Sequence, residues 1–186
     1  MSLVLNTPPA AEPVTLDQAK AHLKVDGGDD DALIAALIGA ARARVEWHVG
    51  RALVTQGWTL WLDDWPCDGV AEIPLPPLQA VSTVTLYGRD DAATVLDATV
   101  YQVDAASQPG RVALKPGAGV FTDLRCINAT AIAFTAGYGD APAVPAAIVQ
   151  AILRIVAQLY VHRGDDAPPL DDATLSLLAP YRIVKL

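Results

Sequence analysis

The stretch Thr130–His162, TAIAFTAGYGDAPAVPAAIVQAILRIVAQLYVH, changes period midway, and that change decides the fold class. Residues 129–136 read as a strand, and Gly137-Tyr138-Gly139-Asp140 as a strand-to-helix turn. Pro145 suits a first helical turn and Gly164 the position after the last. Between them, Ile148, Ile152, Ile155 and Leu159 form one apolar stripe, and Val149, Leu153, Val156 and Tyr160 a second. Only Gln150, Arg154, Gln158 and His162 are left as a polar stripe. A helix with so narrow a polar face must bury two sides. It is either the central helix of a bundle or a helix shared between subunits.

Upstream, residues 52–136 carry short runs of Thr, Val, Ile, Trp and Tyr, separated by Pro, Gly and Asp. Strands are expected near 54–63, 70–75, 80–87, 99–103, 110–115 and 129–136. Val81–Tyr87 alternates as a half-buried strand does, and Gly88–Asp91 and Gln108–Gly110 read as turns. Six such runs make a small antiparallel or barrel-like unit. Before it the texture is helical. Thr15 and Gln18 have capping-box spacing at the head of a helix over about 16–24, which stops near Gly27-Gly28. Asp29, Asp30 and Asp31 precede a longer helix to Gly50, where they can accept orphan N–H groups and complement the helix dipole. In that helix Ile34, Ile38, Ala41, Val45 and Val49 share one face, and Gly39, Ala40, Ala41 and Ala43 keep its middle thin. Arg42 and Glu46 read as an exposed i,i+4 pair worth a few tenths of a kcal/mol at most.

The expected class is α+β: a small helical bundle with an antiparallel β unit inserted between the second and third main helices. The expected divisions are a flexible arm over 1–13, bundle segments over 14–51 and 137–180, the β insertion over 52–136, and a tail over 181–186. A last short helix is expected over 171–179, ended by Pro180. The tail Tyr181–Leu186 has strand character.

Composition excludes several function classes. The 186 residues carry 13 Lys+Arg against 21 Asp+Glu, a formal charge of −8, so no basic footprint grips phosphates. Of the 52% apolar residues, 33 are alanines, which bury little area; about a third of the chain carries most of the hydrophobic stabilisation. No apolar run approaches the length of a membrane helix, and residues 1–14 lack a basic start and an apolar signal core; a soluble, non-secreted chain without membrane association is expected. Cys67 and Cys126 make neither a metal-spaced pair nor a disulfide framework, and suggest a reducing compartment.

Signals for chemistry are weak. The Asp29–Asp31 cluster lacks the spaced ligands of a cation loop, because the sequence turns apolar at once from Ala32. His22, His48 and His162 lie far apart on different helices, without HExxH-type spacing or a GxSxG elbow. Gly137-Tyr138-Gly139 lacks the Lys-Ser/Thr of a P-loop and the third glycine of a dinucleotide fingerprint. No catalytic, cofactor or metal residues are therefore expected. Two features suit partner contact instead. Trp47, Trp58, Trp61 and Trp65 crowd the helix-to-sheet passage; in a strand Trp61 points opposite to Trp58, so it either staples the fold or meets another protein. The tail can add a strand to a partner's sheet edge, pack across a neighbouring subunit, or pair within its own insertion.

The ordered set of segments resembles the tailed-phage head–tail connector (adaptor) family over about residues 14–183. It runs from Val14-Thr15-Leu16-Asp17-Gln18-Ala19-Lys20-Ala21-His22-Leu23 through Asp31-Ala32-Leu33-Ile34 to Ile73-Pro74-Leu75-Pro76-Pro77-Leu78. It continues with Phe134–Asp140, Val144-Pro145 and a helix ending in Tyr160-Val161-His162-Arg163-Gly164. The alanine-rich composition is similar to versions in gene transfer agents and related prophages. The resemblance implies a helical bundle with a β insertion and no catalytic residues. It implies a homo-oligomeric ring, commonly twelve-fold, docked beneath the portal protein, bridging it to the tail stopper and leaving a channel for DNA. It also implies a place at the head–tail interface of a phage-like particle, reached from the bacterial cytoplasm during assembly. The C-terminal segment commonly contacts the portal, which would put Tyr181, Arg182, Ile183 and Val184 there, with Trp61 a second partner-binding candidate. The alternatives are a tail-completion or neck protein of the same particle, or a small soluble enzyme with a pocket in the β insertion. An acidic channel lining would let DNA slide rather than hold it.

Overall fold

The period change after Ala136 marks the passage from one unit of the chain to another. The first unit comprises Met1–Pro9 and Thr55–Gly137, the second Ala10–Val54 and Tyr138–Leu186. The computed structural model describes residues 1–118, 121, 123–162 and 169–183.

The first unit is built of strands: β1 Ser2–Thr7, β2 Gln56–Leu62, β3 Val70–Ile73, β4 Leu78–Tyr87, β5 Ala93–Val95, β6 Tyr101–Asp104, β7 Gly110–Leu114 and β8 Thr130–Ala136. They form a five-stranded sheet in the order β1-β2-β8-β4-β5 and a three-stranded sheet in the order β3-β7-β6. Every pairing is antiparallel. β8 is central because its sequence has nothing to expose: Thr130, Ala131, Ile132, Phe134 and Ala136 are all buried. Leu60 of β2 and Val84 and Leu86 of β4 join them, while Ala71, Ile73, Tyr101 and Val112 are buried in the smaller sheet. The sheets approach closely at Gly110 of β7, where an added Cβ would lie 2.7 Å from the Cβ of Leu78 in β4. Glycine is required there by space, not by backbone angle.

Two parts of this unit depart from expectation. Ser2–Thr7, expected as an unpatterned arm, forms strand β1 on β2, with Ser2 opposite Trp61 and Leu5 opposite Trp58. Neither half-burial nor alternation marks Leu3-Val4-Leu5 in sequence; backbone pairing along β2 makes the strand. Within β4, register shifts between Leu78/Ala80 and Val81/Thr83 interrupt the alternation read over 81–87, and only Val84 and Leu86 of that run are buried.

The second unit holds α1 Leu16–Leu23, α2 Asp31–Val49, α3 Ala146–Val161 and α4 Asp172–Leu178. The capping box forms as read: Thr15 Oγ1 accepts from the Gln18 amide at 3.2 Å and Gln18 Oε1 from the Thr15 amide at 2.9 Å. The face Ile34, Ile38, Ala41, Val45 and Val49 of α2 is buried against Ile148, Ile152, Ile155 and Val156 of α3, with Val14, Leu53 and Leu178 completing the core. On α3 the first expected stripe is buried down to Ile155. Val149, Leu153 and Tyr160 of the second stripe remain half-buried, and Val161 is exposed. α3 is therefore the central helix of this bundle, with its second side covered only in part. Gly50 ends α2 at φ 70°, its amide bonded to the Glu46 carbonyl. The expected stop at Gly164 lies outside the described residues.

Two local readings change. Asp30 is the N-cap of α2 but makes no side-chain cap bond; its carboxylate accepts the Tyr160 hydroxyl, and Asp31 pairs with Lys20 at 2.6 Å. The acidic cluster thus ties α2 to α1 and α3. Arg42 and Glu46 are not an exposed pair: each side chain is 16% exposed. Arg42 bridges Glu12 at 2.7 Å and Glu46 at 2.5 Å, while Glu46 Oε1 also accepts the Leu53 amide at 3.0 Å. The pair fastens the chain segments flanking the helix, which sequence spacing cannot reveal.

Candidate functional site

The described part of the tail is not a strand. After α4 the chain makes a 3-10 turn over Ala179–Tyr181, where Pro180 fixes the backbone. The Tyr181 carbonyl accepts from Arg51 Nε at 2.5 Å, and the Ile183 amide donates to the Val49 carbonyl at 3.0 Å. Residues 181–183 thus run past the end of α2, satisfying a carbonyl that the helix leaves open. Tyr181 is half-buried against the helical core, Arg182 is exposed, and Val184 lies outside the described residues. Burial pushes the hydroxyl of nearby Tyr138 above the ordinary tyrosine range.

Trp61 sits in the sheet unit, half-buried, its ring 5.6 Å from that of Tyr87. Arg125 lies 4.2 Å from the Tyr87 centroid and 6.0 Å from that of Trp61. Its Nε and Nη2 donate to the Asn128 carbonyl at 3.0 and 2.7 Å, and Nη1 contacts Asp91 at 3.2 Å. The Trp61 ring therefore belongs to a built cation–aromatic stack and is half-buried there. Trp58 is half-buried and Trp65 buried, the latter edge-on to Phe121 at 5.9 Å.

The exposed apolar side chains include some that sequence reading passed over. Trp47, on α2, is 86% exposed beside a shallow groove lined by Arg44, His48, Leu170 and Leu175. Val4 and Leu5 on β1 and Val95 on β5 are exposed on the two outer strands of the larger sheet. Leu3-Val4-Leu5 shows no alternation in sequence, and its partner β2 lies about fifty residues away.

A concavity of about 480 Å³ in the β unit is lined by Val70, Gln102, Asp104 and Arg111. Its carboxylate is committed: Asp104 accepts from Ser107 Oγ at 2.7 Å, from Arg111 Nη2 at 2.6 Å and from two loop amides. These bonds, Ser107's first and Arg111's next, hold the Asp104 carboxyl well below the usual range. The Ser107 hydroxyl and amide and the Ala106 amide all donate to the Asp104 carboxylate, so the cluster organises a turn. His22, His48 and His162 lie on the other unit, on α1, on α2 and after α3. Among the described residues no group of His, Cys, Asp or Glu could hold a metal ion, and no helix is long and apolar enough to cross a membrane. Cys67 and Cys126 are exposed and unbridged.

Two of the chain's arginines are charge-matched within the helical unit. Arg42 is bound by Glu12 and Glu46, and Arg154 bonds Asp171 at 2.7 Å and Thr174 at 3.2 Å. Bonds from the Thr174 side chain and amide, then from Arg154, lower Asp171 to about 2.

The model of the phage gp6-like head-tail connector protein family matches residues 13–90, which hold α1, α2, β2, β3 and β4. No curated protein matches the chain by sequence. Among solved structures, a chain from the neck of an empty GTA particle, computed with C6 symmetry, superposes with a TM-score of 0.86 at 24% identity, covering 100% of this chain and 97% of that one. A chain from the virion of a native gene transfer agent particle gives 0.84 at 24% identity with the same coverage. One from the neck of a native GTA particle, computed with C12 symmetry, gives 0.75 at 25% identity over 98% of this chain and 97% of that one. The chain is thus head–tail connector-like: it carries that family's sequence signature over residues 13–90 and a gene-transfer-agent neck fold over its whole length.

Proposed function

We propose that this chain is a structural adaptor subunit. Copies form a ring at the head–tail interface of a phage-like particle, between the portal protein and the tail stopper, around a channel through which DNA passes unheld. The observation that carries the reading is full-length agreement with a neck-particle chain, with both units present and nearly nothing left over on either side. The necks being computed with C6 and C12 symmetry supports a ring of about a dozen copies. The −8 charge, and arginines already bound to carboxylates, suit a lining that repels phosphate.

The partner-facing residues in this reading are Tyr181, Arg182, Ile183, Val184 and Trp61. Because Tyr181 and Ile183 bond the end of α2, removing 181–186 would also loosen that helix terminus. Arg182→Glu is the cleaner probe, since its side chain is exposed. The variant should fold as wild type yet lose binding to the portal in a pull-down; unchanged binding would remove the tail from the interface. For Trp61→Ala, a free subunit melting far below wild type would show a stapling role and remove the motive for an interface there.

The decisive measurement is an electron-microscopy reconstruction of the particle neck. Multiple copies between portal and tail support the adaptor, and copies found only further along the tail support a tail-completion role. A lumen dominated by Arg42, Arg44 and Arg154 would overturn the repelling channel. A free monomer with a ligand-filled pocket in the β unit would point to an enzyme.

A further inference from the structure

The five-stranded sheet ends in β1 and β5, each paired on one side only among the described residues. Soluble proteins usually blunt such edges with lysine, proline or a covering loop. Among the described residues neither edge is blunted in that way. Ser2–Thr7 contains no charge and no proline, with Val4 48% and Leu5 43% exposed. Ala93–Val95 is exposed throughout, with Val95 at 62%. The outward backbone of β5 can be read from its inner bonds. The Leu96 amide donates to the Val84 carbonyl, and the Ala92 carbonyl accepts from Gly88. By the two-residue period of a strand, Ala93 and Val95 then turn their N–H and C=O groups outward.

The strand count adds a direction. Five strands with every neighbour antiparallel leave the two edges running the same way. The small rotation between neighbours in a many-membered ring preserves that sense, so β5 of one copy meets β1 of the next in parallel. A two-fold axis would instead set β1 against β1, antiparallel. A second copy offers, on one body, a mate for each edge, and repetition around a ring consumes every edge. The paired residues are uncharged, so the junction sets no like charges together in a chain of −8.

We propose that neighbouring copies join by parallel pairing of β5 with β1, making the sheets a continuous collar; this rests on the ring reading above. The test uses the full chain with Cys67→Ser and Cys126→Ser, carrying Val4→Cys, Val95→Cys or both, treated with a short bis-maleimide. The double variant should give a ladder of covalent multimers. Mixed single variants should stop at dimers, and each single variant alone should stay monomeric. Val4→Lys or Val95→Lys should keep the wild-type circular dichroism and shift the sedimenting species from ring to monomer. Dimers from Val4→Cys alone would show two-fold edge pairing and overturn the proposal. Rings visible in the microscope without a ladder, or rings that survive both lysines, would overturn it while leaving the ring reading intact. A wild-type chain that never self-associates would overturn both.

Discussion

Glu46 in the helical unit and Val4 in the sheet unit show two ways for structure to end. Glu46 takes up Arg42 and the Leu53 amide as the chain leaves α2, and Asp171 caps α4 while holding Arg154. Helix termini leave orphan groups, and this unit satisfies some of them itself, by side chains at the starts of α1 and α4 and by the Ile183 amide at the end of α2. Val4 lies on a strand whose outer backbone groups have no partner among the described residues, and β5 ends the sheet in the same manner. One unit closes its ends internally; the other leaves them for a second chain. The difference lies at the margins, since both units bury large aliphatic or aromatic side chains completely.

The largest effects should therefore come from the two interiors and be alike. Phe134→Ala in the sheet unit should cost about 3–5 kcal/mol, and Ile152→Ala in the bundle about 2–5 kcal/mol. Both side chains are essentially inaccessible. Urea unfolding followed by circular dichroism measures this. A bundle variant costing far more than its sheet counterpart would move the contrast from the margins into the cores.

Next come the places where each unit is tied. Glu46→Ala leaves the mostly buried Arg42 guanidinium to Glu12 alone and strands the Leu53 amide, and should cost about 1–3 kcal/mol. Gly110→Ala forces a methyl group toward the Leu78 Cβ and should cost about 1–3 kcal/mol by overpacking. If Glu46→Ala falls within error of wild type in urea, the claim that the helical unit closes on itself fails at its best-connected residue.

A smaller, pH-dependent effect separates the ties from the cores. Asp171 is lowered to about 2 by Thr174 and then Arg154, so its folded pKa lies below the unfolded one. Its contribution to stability is full above the ordinary carboxylate value and is lost as the pH falls through about 2. Asp104 and Asp97 are lowered as well, Asp104 mainly by Ser107 and Arg111 and Asp97 by Thr99, and act in the same direction. Asp171→Asn should lower stability in the neutral region, where the ionised carboxylate contributes in full, and converge on wild type toward pH 2, which flattens the acid limb of a stability–pH curve. An unaltered acid limb would remove Asp171 from the set of acid-sensitive ties.

Helix positions and the buried face of α2 were readable because both depend on residues a few positions apart. Thr15 and Gln18 specify their cap locally, and Ile34 through Val49 specify their face by period alone. What the sequence hid depends on distant partners. β1 exists because of β2, and β5 is three residues long, too short for alternation to register. The Asp30–Tyr160 and Arg51–Tyr181 bonds each span 130 residues, so no spacing rule reaches them. For the candidate interface, the tail's composition suggested a strand, whereas the backbone bonds of Tyr181 and Ile183 at the end of α2 hold residues 181–183 in another conformation. Trp47 was legible as an aromatic but not as an exposed one.

Trp47 gives the smallest expected effect on the free chain and tests the contrast from the other direction. Its ring is 86% exposed, so Trp47→Ala removes almost no burial and should change stability by no more than about 0.5 kcal/mol. An exposed tryptophan beside an apolar groove is nevertheless the kind of group that dominates a protein interface when covered. If the helical unit meets partners through side chains and the sheet unit through backbone edges, Trp47→Ala should weaken assembly without changing the melting temperature. Val4→Ala, which keeps the β1 backbone, should leave assembly nearly intact. Melting curves and sedimentation of the two variants side by side decide the matter. Equal losses of assembly would mean that side chains carry both surfaces, and a loss confined to Val4→Ala would reverse the assignment of the two units.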